Sequence, residues 1–417
     1  MRITKLSWSL PFISWLMIGA TEADSTPLTL TLATQKALTQ HPLLSLRYDA
    51  IDTQKAVADQ SSYWSNPQLS YSRQNLNNDQ LTGTDGPSDT LVLTQAIELG
   101  GKRGARIDRA EQLVRLRELE WAQARADIAA ETRRRFVDAM LANARLTIER
   151  DLLVVSEQTA HAAQEKVRAG KVPPIEYTKA AIHLTSARAQ QAQTLRERDT
   201  ALQRLGLLWA DSESNFTIDD GALAIDLNLP SLSVLQSQLA TSPQWQYSEA
   251  NLAQRDAELN LAQAQAYPDL SLSIGRTTFS DLNESSDQVG ISFNVPLFDR
   301  NQGGKAEARL KRNEAQAESQ LRHRESELAL NDLHRHLLIS QSEIAVLRKE
   351  LLPAADDVYR ATLVAYSAGK LGILDVLDAQ RTNSDLHQQY LRNVQEFHYR
   401  LADLEHLLGV SLDALNK

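Results

Sequence analysis

The sequence predicts a mainly α-helical protein with a transmembrane β-barrel portion, built on one plan used twice. Three observations lead there. Chain breakers are scarce, an ordered internal repeat runs at a spacing of about 200 residues, and within each repeat the hydrophobic period switches twice to that of a strand.

Among 417 residues there are only 16 Gly and 12 Pro, and aromatic residues make up 6%. Ala, Leu, Gln, Glu and Arg dominate, the makeup of extended helical arrays rather than of a compact α/β domain. Between Gly104 and Gly170 lie 65 residues with neither Gly nor Pro. An unbroken helix there reaches about 98 Å at 1.5 Å per residue, taller than any ordinary domain. Within it Ile107, Ala110, Val114, Arg117, Trp121, Ala124 and Ile128 fall alternately three and four apart, a heptad-like seam. Any two antiparallel helices bury such a stripe, so length is what sets this one apart. The matching helix of the second half is expected from about 305 to 368, with a kink or local break at Pro353.

The repeat is ordered along the chain. His41-Pro42 recurs as Ser242-Pro243, and Asn66-Pro67-Gln68-Leu69-Ser70 as Tyr267-Pro268-Asp269-Leu270-Ser271. Further on, Ala169-Gly170-Lys171 recurs as Ala368-Gly369-Lys370, and Leu205-Gly206-Leu207 as Leu408-Gly409-Val410. Each half therefore reads as helix, strand pair, very long helix, tight turn and return helix. The first repeat is placed at 24–209, with strands at about 68–76 and 89–97 and a helical hairpin at about 103–208. The second is placed at 231–410, with strands at about 269–279 and 288–296 and a hairpin at about 304–409. Residues 210–230 read as an equatorial linker and 411–417 as a C-terminal tail.

The strands announce themselves by alternation. Leu270, Leu272 and Ile274 alternate with Ser271, Ser273 and Gly275, while Val289, Ile291, Phe293 and Val295 alternate with Gly290, Ser292 and Asn294. In the first half Leu69 and Tyr71, then Leu91, Leu93 and Ile97, form a weaker version. An apolar face backed by a small polar one suits a lipid-facing barrel wall with a wet lumen, though soluble hairpins packed on a helix alternate in the same way. Four strands cannot close a barrel, and an open sheet edge in hydrocarbon leaves backbone groups unpaired. Partner copies are therefore required: two would give eight strands and three would give twelve, and the arithmetic leaves that choice open.

The N-terminus reads as a cleaved signal peptide over residues 1–23. Arg2 and Lys5 form a basic start, Leu6 to Gly19 an apolar stretch, and small residues surround Ala20 and Ala23. The stretch is interrupted by Pro11 and falls short of the roughly 20 residues that cross a bilayer. There is no cysteine, which removes a lipoprotein anchor, disulfides and thiolate metal sites together. A formal charge of −9 argues against a nucleic-acid partner. No nucleophile–base pair, metal ligand set or cofactor fingerprint stands out, so neither an enzyme nor a bound cofactor is expected. The nine His residues read as solvated helix positions, and three Met residues give no thioether ladder.

The run from Tyr366 through Gly369, Lys370, Asp375 and Asp378 to Arg381 closely resembles the periplasmic turn of TolC-family outer-membrane efflux proteins, and Ala169-Gly170-Lys171 to Ala180 resembles its first-repeat partner. The resemblance spans residues 30 to about 409. It implies a homotrimer, a twelve-stranded barrel continued by an α-helical tunnel, and a tip that docks onto a periplasmic adaptor (membrane fusion) protein and an inner-membrane RND-type pump. Ile97-Glu98-Leu99-Gly100-Gly101-Lys102-Arg103 is similar to the cobalt-zinc-cadmium branch, which implies export of divalent heavy-metal cations through the outer membrane. On chemistry alone Gly100 and Gly101 let the chain turn from strand to helix, with Lys102 and Arg103 at the membrane edge. Two positions depart from the family pattern: Leu371 stands where well-known relatives carry a basic residue, and Pro173-Pro174 opens the first return helix.

Asp375 and Asp378 are three apart and share a helix face at the start of a return helix. Turned inward in a trimer they would ring the tunnel mouth with carboxylates, which attract cations, and the family places its constriction at matching positions. Acids in a first helical turn also simply complement the macrodipole. Tyr366, Gly369, Lys370, Gly170 and Lys171 complete the expected tip, and only Gly adopts positive φ cheaply at its turns. Competing expectations are a drug or type I secretion duct of the same fold, a periplasmic adaptor, or a coiled-coil scaffold.

Overall fold

The computed structural model describes residues 27–75, 83–211, 216–218 and 228–415. The expected signal peptide, residues 76–82 at the end of the first expected strand and in the loop after it, and residues 212–215 and 219–227 of the linker lie outside them.

The chain runs α1 (Leu30–Gln40), α2 (Pro42–Ser62), β1 (Gln68–Gln74), β2 (Ser88–Ile97), α3 (Lys102–Arg168) and α4 (Pro174–Gly206) through its first half. The second half runs α5 (Leu232–Leu239), α6 (Pro243–Ala264), β3 (Leu270–Phe279), β4 (Glu284–Phe293), α7 (Gln302–Val346), a π turn (Leu347–Leu351), α8 (Leu352–Ser367) and α9 (Ile373–Leu408), followed by the short α10 (Leu412–Leu415). Local chemistry sets the starts. At α2 the His41 Nδ1 accepts from the Leu43 N–H, and at α6 the Ser242 hydroxyl accepts from the Trp245 N–H, each followed by proline at the first helical position. The short α1 and α5, which periodicity did not single out, press Ala33, Ala37, Leu235 and Leu239 into the core.

The four strands form one antiparallel sheet in the order β1-β2-β3-β4, and the central β2–β3 pair joins the two halves. Register aligns Leu69, Leu93, Ile274 and Val289 in one row, with Gln95, Leu272 and Ile291, then Ile97, Leu270 and Phe293, in the next rows of the same face. Val289, at 82% exposure, and Ile291, at 69%, show how bare that face is. The opposite face carries Gln68, Thr94, Ser273 and Gly290, flanked by Ala96, Ser271 and Ser292. Both outer strands, β1 and β4, keep an edge with no partner strand among the described residues.

β4 differs from its expected position of about 288–296 by starting at Glu284 and ending at Phe293. Asn283, at φ 51°, closes the turn early, and Glu284 to Asp287 continue the ladder against Phe279 to Arg276. Arg276 forms two bonds to Asp287 across it, 2.6 and 2.9 Å. The polar stretch that reads as a loop is thus strand, standing above the apolar band, and Val295 lies beyond the strand's end.

α3 is continuous over 67 residues, roughly 100 Å. Its apolar seam is only partly buried: Ala110, Ala124 and Ile128 are covered, while Leu116 and Leu119 are covered on a second side, because α2, α4, α6 and α9 all pack against this one helix. Among the described residues no helix is long and apolar enough to cross a membrane.

Candidate functional site

Two stations concentrate the expected functional residues: the tips of the helical hairpins and the junction where strands become helices. Both tips close by the same bond pattern. In the first, Gly170 at φ 68° donates its N–H to Val167 O at 3.0 Å, and the Lys171 N–H reaches back to Lys166 O at 2.9 Å. In the second, Gly369 at φ 77° bonds Tyr366 O at 2.9 Å and the Lys370 N–H bonds Ala365 O at 2.9 Å. This doubly bonded left-handed cap satisfies the helix's last carbonyls. A Cβ on either glycine would meet nothing within 4 Å, so backbone conformation alone selects glycine there.

Tyr366 is buried, at 2% exposure, in a tip core with Tyr359, Ile373, Val376, Ala160, Ala163 and Ala180. Lys166, on α3, donates to the Tyr366 carbonyl and holds its ammonium 3.6 Å from the Tyr366 ring centre. One hairpin's lysine thereby caps the other hairpin's turn. Burial pushes the Lys166 ammonium below its ordinary range, while Glu176 in the first turn of α4 acts against that shift. Burial, and then the Glu176 charge, pushes the Tyr366 phenol up. Among the described residues the Tyr366 hydroxyl and Glu176 Oε2 have no hydrogen-bond partner.

The two aspartates are exposed and stand apart from this cluster. Asp375 accepts from the Gly372 N–H at 2.9 Å, capping α9, so one of its oxygens is engaged by the helix start. The Asp378 carboxylate has no bonding partner among the described residues. The side chains of Lys171 and Lys370 are also exposed. Lys166 and Glu176 did not stand out in the sequence. The available signal was a break in the repeat, since Lys166 occupies the place that Ala365 takes in the second half.

At the junction Gly100 (φ 70°) and Gly101 (φ 76°) are both left-handed. A Cβ on Gly100 would fall 2.6 Å from Tyr267, whereas one on Gly101 would meet nothing within 4 Å. Lys102 pairs with Asp269 at 2.7 Å, and the Arg103 Nε donates to Ser62 O at 2.8 Å with its guanidinium 5.1 Å from the Trp64 ring centre. Arg106 bonds Glu98 at 2.5 Å as well as Ser61 O and Tyr63 O. Arg103 and Arg106 therefore cap the carbonyl end of α2, where cations are favoured. In the second half the side-chain amide of Asn301 does this for α6, donating to Ala262 O at 2.8 Å.

Among the described residues no three His, Cys, Asp or Glu side chains are grouped to hold a metal ion. The histidines require a correction: His398 is not solvated but 7% exposed, and His387, His406 and His323 bond Asp356, Asp127 and Ser248.

A sheet bare and apolar on one side, lined with hydroxyls and glycine on the other, and set on helical hairpins of about 100 Å, defines an outer-membrane duct that reaches into the periplasm. The chain belongs to the outer membrane efflux protein family, whose pattern matches residues 33–211 and 234–410. It is 30% identical over 390 residues to the cobalt-zinc-cadmium resistance protein CzcC of Cupriavidus metallidurans, covering 92% of this chain and 90% of that protein. Identity to the nickel-cobalt-cadmium resistance protein NccC of Alcaligenes xylosoxydans xylosoxydans is 26% over 282 residues, 68% of this chain and 63% of the relative. The outer membrane protein VceC of Vibrio cholerae shares the fold, with a TM-score of 0.74 at 19% identity over 92% of this chain and 96% of that one.

Proposed function

We propose that three copies of this chain close a twelve-stranded barrel and form the exit duct of a tripartite system that expels divalent heavy-metal cations. The observation that carries the assembly is the sheet: four antiparallel strands with an apolar face and two open edges. In this order β4 and the β1 of a neighbouring copy run antiparallel, so copies join without reversing a strand. The hairpin tips, with exposed Ile175, Leu371 and Leu374, offer apolar surface to a periplasmic adaptor, which in turn engages an inner-membrane pump. The metal assignment draws on the cobalt-zinc-cadmium relative and on the Gly100 to Arg103 junction. The duct performs no covalent chemistry and holds no cofactor; it passes what the pump delivers.

The reading is tested in a strain lacking this gene. Tolerance of zinc, cobalt and cadmium is expected to fall and to return with the wild-type gene, whereas unchanged tolerance of all three would count against metal cargo.

Asp378, free of partners among the described residues, and Asp375 supply the carboxylates of the tunnel mouth. Replacing both with Ala is expected to raise single-channel conductance in planar bilayers, because the smaller side chains widen the constriction, and to weaken block by divalent cations, because the carboxylates that attract them are gone. Wild-type conductance and block in the double variant would remove the ring from the mechanism.

A further inference from the structure

The face of the sheet turned away from lipid carries almost no charge. Strand register fixes which residues share that face, because side chains alternate sides along each strand. Its row farthest from the helices is Gln74, Ser88, Phe279 and Glu284. The row below it, Ser72, Thr90, Thr277 and Ser286, is hydroxyl throughout. From there towards the helices the inward positions are Ser, Thr, Gln, Gly, Ala and Val. Among the inward positions of the described strands Glu284 is therefore the sole ionisable residue.

Nothing nearby neutralises it. The Glu284 side chain is exposed and has no hydrogen-bond or ion-pair partner among the described residues. The two strand-borne cations at this end lie on the opposite face and are each matched there by an acid: Arg73 stands 3.5 Å from Asp89, and Arg276 stands 2.6 Å from Asp287. The segments that join the strands at this end offer no replacement. Residues 74–101 and 277–299 contain no Lys or Arg, while Asp79, Asp85 and Asp281 add charge of the same sign.

We propose that Glu284 sets the charge selectivity of the duct's outer mouth. The inference rests on the reading of the sheet as one third of a barrel, in which one Glu284 from each copy places a ring of carboxylates around the exit. Both sheet connections, after β1 and after β3, lie at the end opposite the helices, so this ring faces the exterior while Asp375 and Asp378 stand at the far end of the shaft. Hydroxyl and amide groups hold ions only weakly, so a neutral wall lets a cation slide past, and the potential along the barrel is governed by the one ring of fixed charge. Cations are admitted at that rim and anions are turned back.

Reversal potentials in planar bilayers under a salt gradient test it, with Asp375→Ala and Asp378→Ala as the background so that the tip contributes no selectivity. In that background Glu284→Gln is expected to lower the cation-to-anion permeability ratio by about two- to fourfold, and by less as added salt shortens the screening length. Glu284→Lys should carry the ratio further in the same direction. Because the chain has no cysteine, Glu284→Cys and Ser285→Cys each supply the sole thiol, the first on the inward face and the second on the lipid side of the same strand. A thiol reagent bearing a quaternary ammonium, added from the exterior side, should reduce cation preference in the Glu284→Cys channel, one step per copy, and leave the Ser285→Cys channel unaltered. An unchanged ratio in Glu284→Gln channels, or equal responses at 284 and 285, would overturn the assignment while leaving the barrel intact. Absence of channels from the unsubstituted protein would strike the barrel itself, and this inference with it.

Discussion

Replacing Glu405 with Ala is expected to destabilise the folded chain by about 3–5 kcal/mol, because it strands a buried guanidinium. Arg133 of α3 donates through Nε and one terminal nitrogen to the two Glu405 oxygens of α9, at 2.7 and 2.8 Å, and the side chains are only 10% and 12% exposed. Glu405 also accepts from the Leu412 N–H at 2.9 Å and the Ser411 hydroxyl at 3.1 Å, which seats Leu412 in the core. One carboxylate thus ties together a long helix, its neighbour and the C-terminal turn. The control is Glu157→Ala. Its partner Arg188 lies 3.0 Å away, but the side chains are 49% and 60% exposed, so the loss there is below about 1 kcal/mol. Substituting both partners, Arg133→Met with Glu405→Leu, should recover most of the lost stability, since no unpaired charge remains. Thermal unfolding of the detergent-solubilised protein measures all three, and equal melting of the Glu405 and Glu157 variants would refute the assignment.

How much of this was legible in the sequence depends on whether the cause was local. The absence of Gly and Pro over 105–169 leaves the chain little alternative to a long helix, and alternation such as Leu270, Leu272, Ile274 exposes a strand whichever sheet it joins. α1 and α5 were missed because an eleven-residue and an eight-residue helix leave little periodic trace, and their apolar faces acquire meaning only against α3 and α7. The start of β4 was missed because Glu284 to Asp287 are polar on both faces, as a strand can be once it clears the apolar band. Pro353 pointed to a break. That the break is a wide turn placed before the proline follows from which carbonyl loses its donor, and this shows only once the helix is built.

The candidate site divides along the same line. Turn glycines, the aspartate pair and the basic junction are short-range patterns that a repeat search finds. The Lys166 to Tyr366 contact joins residues 200 positions apart, and the Arg133 to Glu405 pair joins residues 272 apart. No period or motif encodes such pairs. His398 misled for a related reason: a histidine among Gln395, Glu396 and Arg400 reads as a wet helix face until α3 is laid across it.

That histidine gives the second large effect, an acid sensitivity that begins well above the pH at which carboxylates titrate. His398 packs edge-on against Phe397, and neither of its ring nitrogens has a partner among the described residues. Burial, aided by the nearby Arg133 charge, pushes its pKa down to about 4 from an ordinary 6.5. The folded chain therefore holds it neutral while the unfolded chain protonates it near 6.5. Above 6.5 both states are neutral and the fold keeps its full stability. As pH falls from 6.5 towards 4 only the unfolded state gains the proton, and stability is lost progressively, reaching on the order of 3 kcal/mol near pH 4. Below that both states carry the proton and this contribution changes no further. His398→Leu places an apolar side chain of similar size there and has nothing to titrate, so its melting temperature should vary less between pH 7 and pH 5 than that of the wild type. His387 and His406 remain in both proteins, so the difference between the two pH profiles isolates position 398. Parallel profiles would mean that water reaches the His398 ring in the folded protein, and this source of acid sensitivity would have to be abandoned.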